Sequence, residues 1–181
     1  METSHIQVTC PWGNRIRCHA AGAGFGDMTL GIPYVEFPVP LGHAEGIARF
    51  YETVFAAPGA VTPEGGRAVT RVKVGPRQEL IFRETTEETR PYDGHHIAVY
   101  IALFSRPHRW LAERGLVTEE SSEHQYRFQD IVDPETLRPL FVIEHEVRSL
   151  CHPMYLRPLV NRNPSQGQAT YVRGEDAFPV R

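Results

Sequence analysis

GIPYVEFPVPLGHAEGIARFYETVFAA (31–57) and GHHIAVYIALFSRPHRWLAERGLV (94–117) carry the same signals in the same order, and this repetition decides the fold. Each begins with an alternating stretch and passes into one of helical period. In the first, Val35, Phe37 and Val39 fall on one side and Tyr34 and Glu36 on the other. That is the period of a strand with one buried face. Pro40, Leu41 and Gly42 end the strand, and Ile47, Phe50, Tyr51, Val54 and Phe55 then form one helical stripe. Pro58 and Gly59 are read as its stop. In the second copy Ile97, Val99 and Ile101 oppose His96, Ala98 and Tyr100. Ser105 is read as the cap of a helix with Pro107 in its first turn, Trp110 and Leu111 buried, and Gly115 as terminator.

Each unit is followed by a hairpin, VTRVKVGPRQELIFRE (69–84) and YRFQDIVDPETLRPLFVIEHEV (126–147). Leu80 and Phe82 alternate with Glu79, Ile81 and Arg83; Phe141 and Ile143 alternate with Val142, Glu144 and Glu146. A third hairpin, HIQVTCPWGNRIRCHA (5–20), turns at Pro11-Trp12-Gly13-Asn14 and has no strand-helix unit before it. The expected fold class is therefore α+β, two tandem βαβββ modules (31–84 and 94–148) forming one domain over 31–148. Residues 1–30 read as the end of another such module, and 85–94 as a polar linker. Residues 149–181 read as an extended, irregular arm, because the three prolines of 152–164 suit neither a long helix nor a central strand.

At 181 residues, 41% hydrophobic and 23% charged, the chain is long enough to bury a core. A net charge of −3 gives no field that favours nucleic acid or an anionic membrane. No apolar run approaches the ~20 residues that cross a bilayer. METSHIQVTC (1–10) has neither the basic nor the apolar region of a secretion signal, so a cytoplasmic location is expected. Three cysteines, an odd number, argue against a disulfide framework. Cys10 and Cys18 flank one turn and are read as free thiols, with a redox pair as the alternative. GlyAlaGlyPheGlyAsp (22–27) precedes a strand, not a helix, so no helix N-terminus is there to receive a phosphate.

If each helix covers the apolar face of its own sheet, the opposite faces point into a shared concavity. That face carries Tyr34, Glu36 and Glu79 from the first module and His96, Tyr100, Glu144 and Glu146 from the second, with Arg17 from the hairpin. Imidazole with carboxylates suits a divalent ion. His145, between two glutamates, points the other way. Plainer readings stand beside these: a solvated edge strand for 144–146, surface pairing of Glu79 with Arg77 or Arg83, packing roles for Tyr34 and Tyr100, and an exposed charge at Arg17. His95 reads as structural, and His43, His108, His124 and His152 receive no role.

GlyHisHisIleAlaValTyrIle (94–101), PheTyrGluThrValPhe (50–55), the Asp133-Pro134 turn and CysProTrpGlyAsnArgIleArg (10–17) together resemble the vicinal oxygen chelate superfamily. That superfamily includes glyoxalase I, extradiol dioxygenases and bleomycin-resistance proteins. The resemblance covers residues 5–148 and implies a glyoxalase-like open, curled sheet with a small-molecule cleft. In the family's metalloenzymes a His on the first strand and a Glu on the last strand of the modules surround one divalent metal. Carried over by position, His96, Glu144 and Glu79 are the implied ligands, with Glu36 an alternative to Glu79, for Mn, Fe, Zn or Ni. Tyr34 stands where the first module's His would be, and a phenol of pKa ~10 is a poor ligand near neutral pH. On this reading the metal chelates vicinal oxygens of the substrate, Glu36 or Glu146 is the base, and Tyr34, Tyr100 and Arg17 line the cleft. Isomerase, lyase and dioxygenase chemistry stay open. The alternative is a protein that sequesters a small ligand without metal or catalysis; a third is a purely structural scaffold. The open edges of the orphan hairpin lead us to expect a homodimer.

Overall fold

The computed structural model describes residues 5–22, 24–26, 28, 31–157, 163–167, 170–172, 174 and 175. The centre of the expected arm (158–162) lies outside them, as do Ala23 and Asp27 of the glycine-rich stretch. The elements are β1 (His5–Thr9), β2 (Arg15–His19), β3 (Tyr34–Pro40), α1 (Ala44–Phe55), β4 (Gly59–Glu64), β5 (Arg67–Gly75) and β6 (Gln78–Thr85). The second module follows with β7 (His96–Ile101), α2 (Ser105–Ala112), β8 (Val117–Ser122), β9 (Gln125–Val132) and β10 (Pro139–Ser149). Two four-stranded sheets have the orders β3-β6-β5-β4 and β7-β10-β9-β8. In each the first strand runs parallel to the last and the remaining pairings are antiparallel. These are the two βαβββ modules expected from the repeat.

The helix ends differ in detail from the sequence reading. The first amide of α1, Ala44 N–H, donates to the Glu84 carboxylate at 3.0 Å. The helix stops at Ala56, whose left-handed backbone (φ 53°) precedes the Pro58-Gly59 signal. Gly59 already belongs to β4, where an added Cβ would lie 3.1 Å from the Ala48 backbone. Ser105 is the first helical residue of α2 and makes no capping bond. Both outer strands, β4 and β8, lack alternation, and Pro63 is tolerated because β4 is an edge.

One core joins the modules. Phe50 is fully buried, and its ring lies 5.9 Å from Phe128 and 6.1 Å from Trp110. Phe37 meets Phe141 at 5.8 Å. The α1 helix thus packs on the strands of the second module as well as its own. Polar bonds repeat the connection: His43 Nδ1 meets the Leu140 carbonyl at 2.7 Å, and Arg49 donates to Asp133 at 2.8 Å. The Arg49 hydrogen bond, followed by amides of the 133–136 turn, lowers the Asp133 carboxyl to a pKa of about 2.

His145 turns into this core, and β10 is an interior strand rather than the solvated edge considered above. Its ring stacks on Phe128 at 4.2 Å. Nδ1 lies 2.8 Å from the Ile143 carbonyl, which can only accept, so Nδ1 carries the proton. Nε2 then accepts from the Tyr51 hydroxyl at 2.6 Å. Burial lowers the His145 pKa to about 4. The unfolded chain, with its histidine near ~6.5, binds the extra proton between those values. Stability is therefore unaffected above pH 6.5 and falls as the pH drops from 6.5 to 4, by about 3 kcal/mol at the acid end. Urea unfolding at pH 7.5, 5.5 and 4.0 should show this loss, and a His145→Gln protein should show less of it. Equal pH slopes in the two proteins would contradict the assignment.

The β1–β2 ribbon joins neither four-stranded sheet. It lies against β3 through Arg17–Glu36 (3.4 Å) and His19–Tyr34 (2.8 Å). Cys10 and Cys18 are free thiols, and Cys18 stands opposite Ile6 in the ribbon. Residues 150–156 form turns rather than an extended arm and fold back on β7, with Tyr155 5.5 Å from Tyr100. Among the described residues no helix is long and apolar enough to cross a membrane.

Candidate functional site

The strand registers set the expected residues beside one another within each module. Tyr34 lies beside Glu79 in the β3–β6 pair, and His96 beside Glu144 in the β7–β10 pair. Phe37, Val39, Leu80 and Phe82 are buried on the helix side, as are Ile143 and Val147. The polar faces hold arginines as well as the anticipated carboxylates.

On the first module Arg83 holds Glu36 (3.2 Å) and Glu64 (3.1 Å), while Arg71 holds Glu64 (3.1 Å) and Glu79 (3.4 Å). With Arg17 on Glu36, three guanidinium groups neutralise three carboxylates. Hydrogen bonds from Arg71, and then Arg83, keep the Glu64 carboxyl below its ordinary pKa. The bond to Glu36 raises Arg83 in turn. On the second module Arg127 bridges Glu144 (2.6 Å) and Glu146 (2.7 Å), and Gln129 donates to Glu144 at 3.3 Å. Arg148 pairs with Glu146, donates to the Tyr100 hydroxyl at 2.8 Å and to Gln125 at 2.9 Å.

The ion pairs hold the expected site residues in separate groups. Glu36 and Glu146, the carboxylates expected to act as base, are each shared between two arginines. Glu79 does not join His96 and Glu144 in one group, because Arg71 takes it within the first module. Among the described residues no three His, Cys, Asp or Glu side chains are gathered as a metal requires. No ion pair among them links the polar face of one module to that of the other. Glu79 pairs with Arg71, not with Arg77 or Arg83 as its surface reading supposed. Tyr34 packs against Phe25 and bonds His19, and Tyr100 packs under Tyr155 and His152. Arg17 meets a carboxylate of its own chain. His96 is exposed at the start of β7.

The divalent ion implied by the resemblance does not fit this donor set. A metal would have to displace Arg127 from Glu144 and Arg71 from Glu79, and bring together ligands held in separate networks. Sequence reasoning missed Arg71, Arg127 and Arg148. The register could have found one of them, since Arg127 stands directly opposite Glu146 in the β9–β10 ladder.

No protein-family model matches the chain, and no curated protein does. Among solved structures it is similar to a Bacillus anthracis protein described as a glyoxalase family member. The two share 20% identity with a TM-score of 0.46, over 66% of this chain and 94% of that one. It is similar to the fosfomycin resistance protein FosX from Mesorhizobium loti, at 19% identity and a TM-score of 0.47, over 67% and 92% of the two chains. A FosX variant from Listeria monocytogenes, in complex with Mn(II) and 1S,2S-dihydroxypropylphosphonic acid, shares 13% identity with a TM-score of 0.46, over 67% and 93%.

Proposed function

We propose that this chain is a small-ligand-binding protein of glyoxalase-like fold that works without a metal. One observation carries the reading: each carboxylate at an expected ligand or base position (Glu36, Glu79, Glu144, Glu146) is held by a guanidinium. A face built of paired arginines and glutamates recognises a polar molecule by exchange. An anionic group on the ligand can take over fork-shaped N–H donors of Arg71, Arg83 or Arg127 that the protein's own carboxylates otherwise occupy. Tyr34 in place of a metal-binding histidine supports the same reading.

A metal-dependent enzyme is the second reading, and the register of His96 directly beside Glu144 favours it. If a divalent ion were held there, it would act as a Lewis acid toward vicinal oxygens of a substrate. The test is the metal content of purified, tag-free protein before and after loading with Mn, Fe, Zn or Ni, beside a His96→Ala variant. We expect no stoichiometric metal and no rise in melting temperature with divalent ions, which would stabilise a folded state that bound them. Near-stoichiometric metal that disappears in His96→Ala would overturn the proposal and restore the enzyme.

A further inference from the structure

The β1–β2 ribbon leaves an apolar face exposed: Ile6 is 72% accessible, Val8 44%, Ile16 48%, and Trp12 at the turn 84%. Trp12 is the one large exposed aromatic among the described residues. Residues 5–19 hold Arg15, Arg17, His5 and His19 and no acidic residue, in a chain of net charge −3. Opposite chemistry lies at the far edge of the second sheet. There β8 is the outermost strand, and Glu119, Glu120 and Glu123 carry the acidic charge of the edge; Arg127 partly neutralises Glu119 at 3.7 Å, while among the described residues Glu120 and Glu123 have only the imidazoles of His108 and His124 beside them. Between β8 and α2 lies a half-open hollow of about 200 Å³, walled by Phe104, His108 and Tyr126, with Glu120 (2.7 Å from His108) and Glu123 on its lining and neither Arg nor Lys. The Tyr126 ring lies 5.1 Å from Phe104 and 5.0 Å from His108. Tyr126 is 1% exposed, and its hydroxyl has no hydrogen-bond partner among the described residues. The accessible lining there is the aromatic rings and the two carboxylates, which suits a flat group with a polar edge.

We propose that this cavity receives Trp12 of a second copy of the chain. The indole is flat enough to lie against Phe104 and Tyr126, and its single N–H donor suits a pocket lined by the Glu120 and Glu123 carboxylates. Arg15, three residues from Trp12, then stands toward the acidic strand β8, so the charges of ribbon and edge complement one another. The same contact made in return by the other copy closes a two-fold dimer. This surface is separate from the arginine-lined faces, and it stands or falls independently of the ligand-binding reading.

Sedimentation velocity of the full chain from 1 to 100 µM tests it, with tryptophan emission followed across the same range. We expect a dimer whose formation shifts the emission to the blue, and at least a tenfold rise in dissociation constant for Trp12→Ala. Arg15→Glu and Glu120→Arg should each weaken association, and the two together in one chain should restore it. Thermal unfolding of each variant as a monomer controls for folding, since all three positions are at the surface. A monomer throughout, or a dimer indifferent to Trp12→Ala, would overturn the proposal. So would single charge reversals that the double variant does not rescue, which would mean that ribbons meet ribbons.

Discussion

Phe50→Ala is expected to lower the free energy of unfolding by about 3–5 kcal/mol, the range for deleting a fully buried phenylalanine. The site has little freedom to collapse. Phe50 touches Tyr51 and Phe55 on its own helix, Trp110 on α2 and Phe128 on β9, so four rings from both modules face the vacated volume. The α1 backbone cannot move inward to fill it, because Arg49–Asp133 and Tyr51–His145 fix the helix on either side. Since the ring belongs to both modules, the loss should appear as one transition shifted to lower denaturant, not as separate melting of one module. Urea unfolding followed by far-ultraviolet circular dichroism and by tryptophan emission checks this. Two separated transitions, or a loss under 1 kcal/mol, would mean that the modules hold separate cores.

Repetition and alternation make the architecture legible in the sequence. Strand-helix units at 31–57 and 94–117 became β3–α1 and β7–α2, and the alternating faces of β3 and β6 fell on the sides assigned to them. The edge strands were not legible. Val117–Ser122 carries two adjacent glutamates and two serines and is held by its ladder to β9, a non-local term that local pattern does not report. The site was legible only as residue types on a face. Alternation put Glu144 and Glu146 together and turned His145 away, but said nothing of which cation stands opposite. That depends on cross-strand register, including the irregularity between Val142 and His145 that sets Arg127 against Glu146. A glutamate beside a histidine reads as a metal ligand, and the same glutamate beside two arginines is an ion pair. Pairing decides between them.

Arg148→Met makes that distinction measurable. Arg148 and Glu146 have side chains 7% and 4% exposed, and the guanidinium also serves the Tyr100 hydroxyl and Gln125. Methionine keeps much of the stem and removes the charge, leaving Glu146 with Arg127 alone, which it must share with Glu144. Removing one partner of a buried ion pair strands the other, and the expected loss is about 3–5 kcal/mol. Adding Glu146→Gln removes the stranded charge, so the double variant should recover a large part of that loss. In a double-mutant cycle the two changes should be strongly coupled, not additive. Divalent ions supply the deciding arm. If Glu144 were a metal ligand with Glu146 a base beside it and arginine an incidental neighbour, Mn or Zn would compensate for the missing cation and raise the melting temperature of Arg148→Met. If they are anchors of a guanidinium network, the metals should leave that variant as unstable as before, and only Glu146→Gln should restore it.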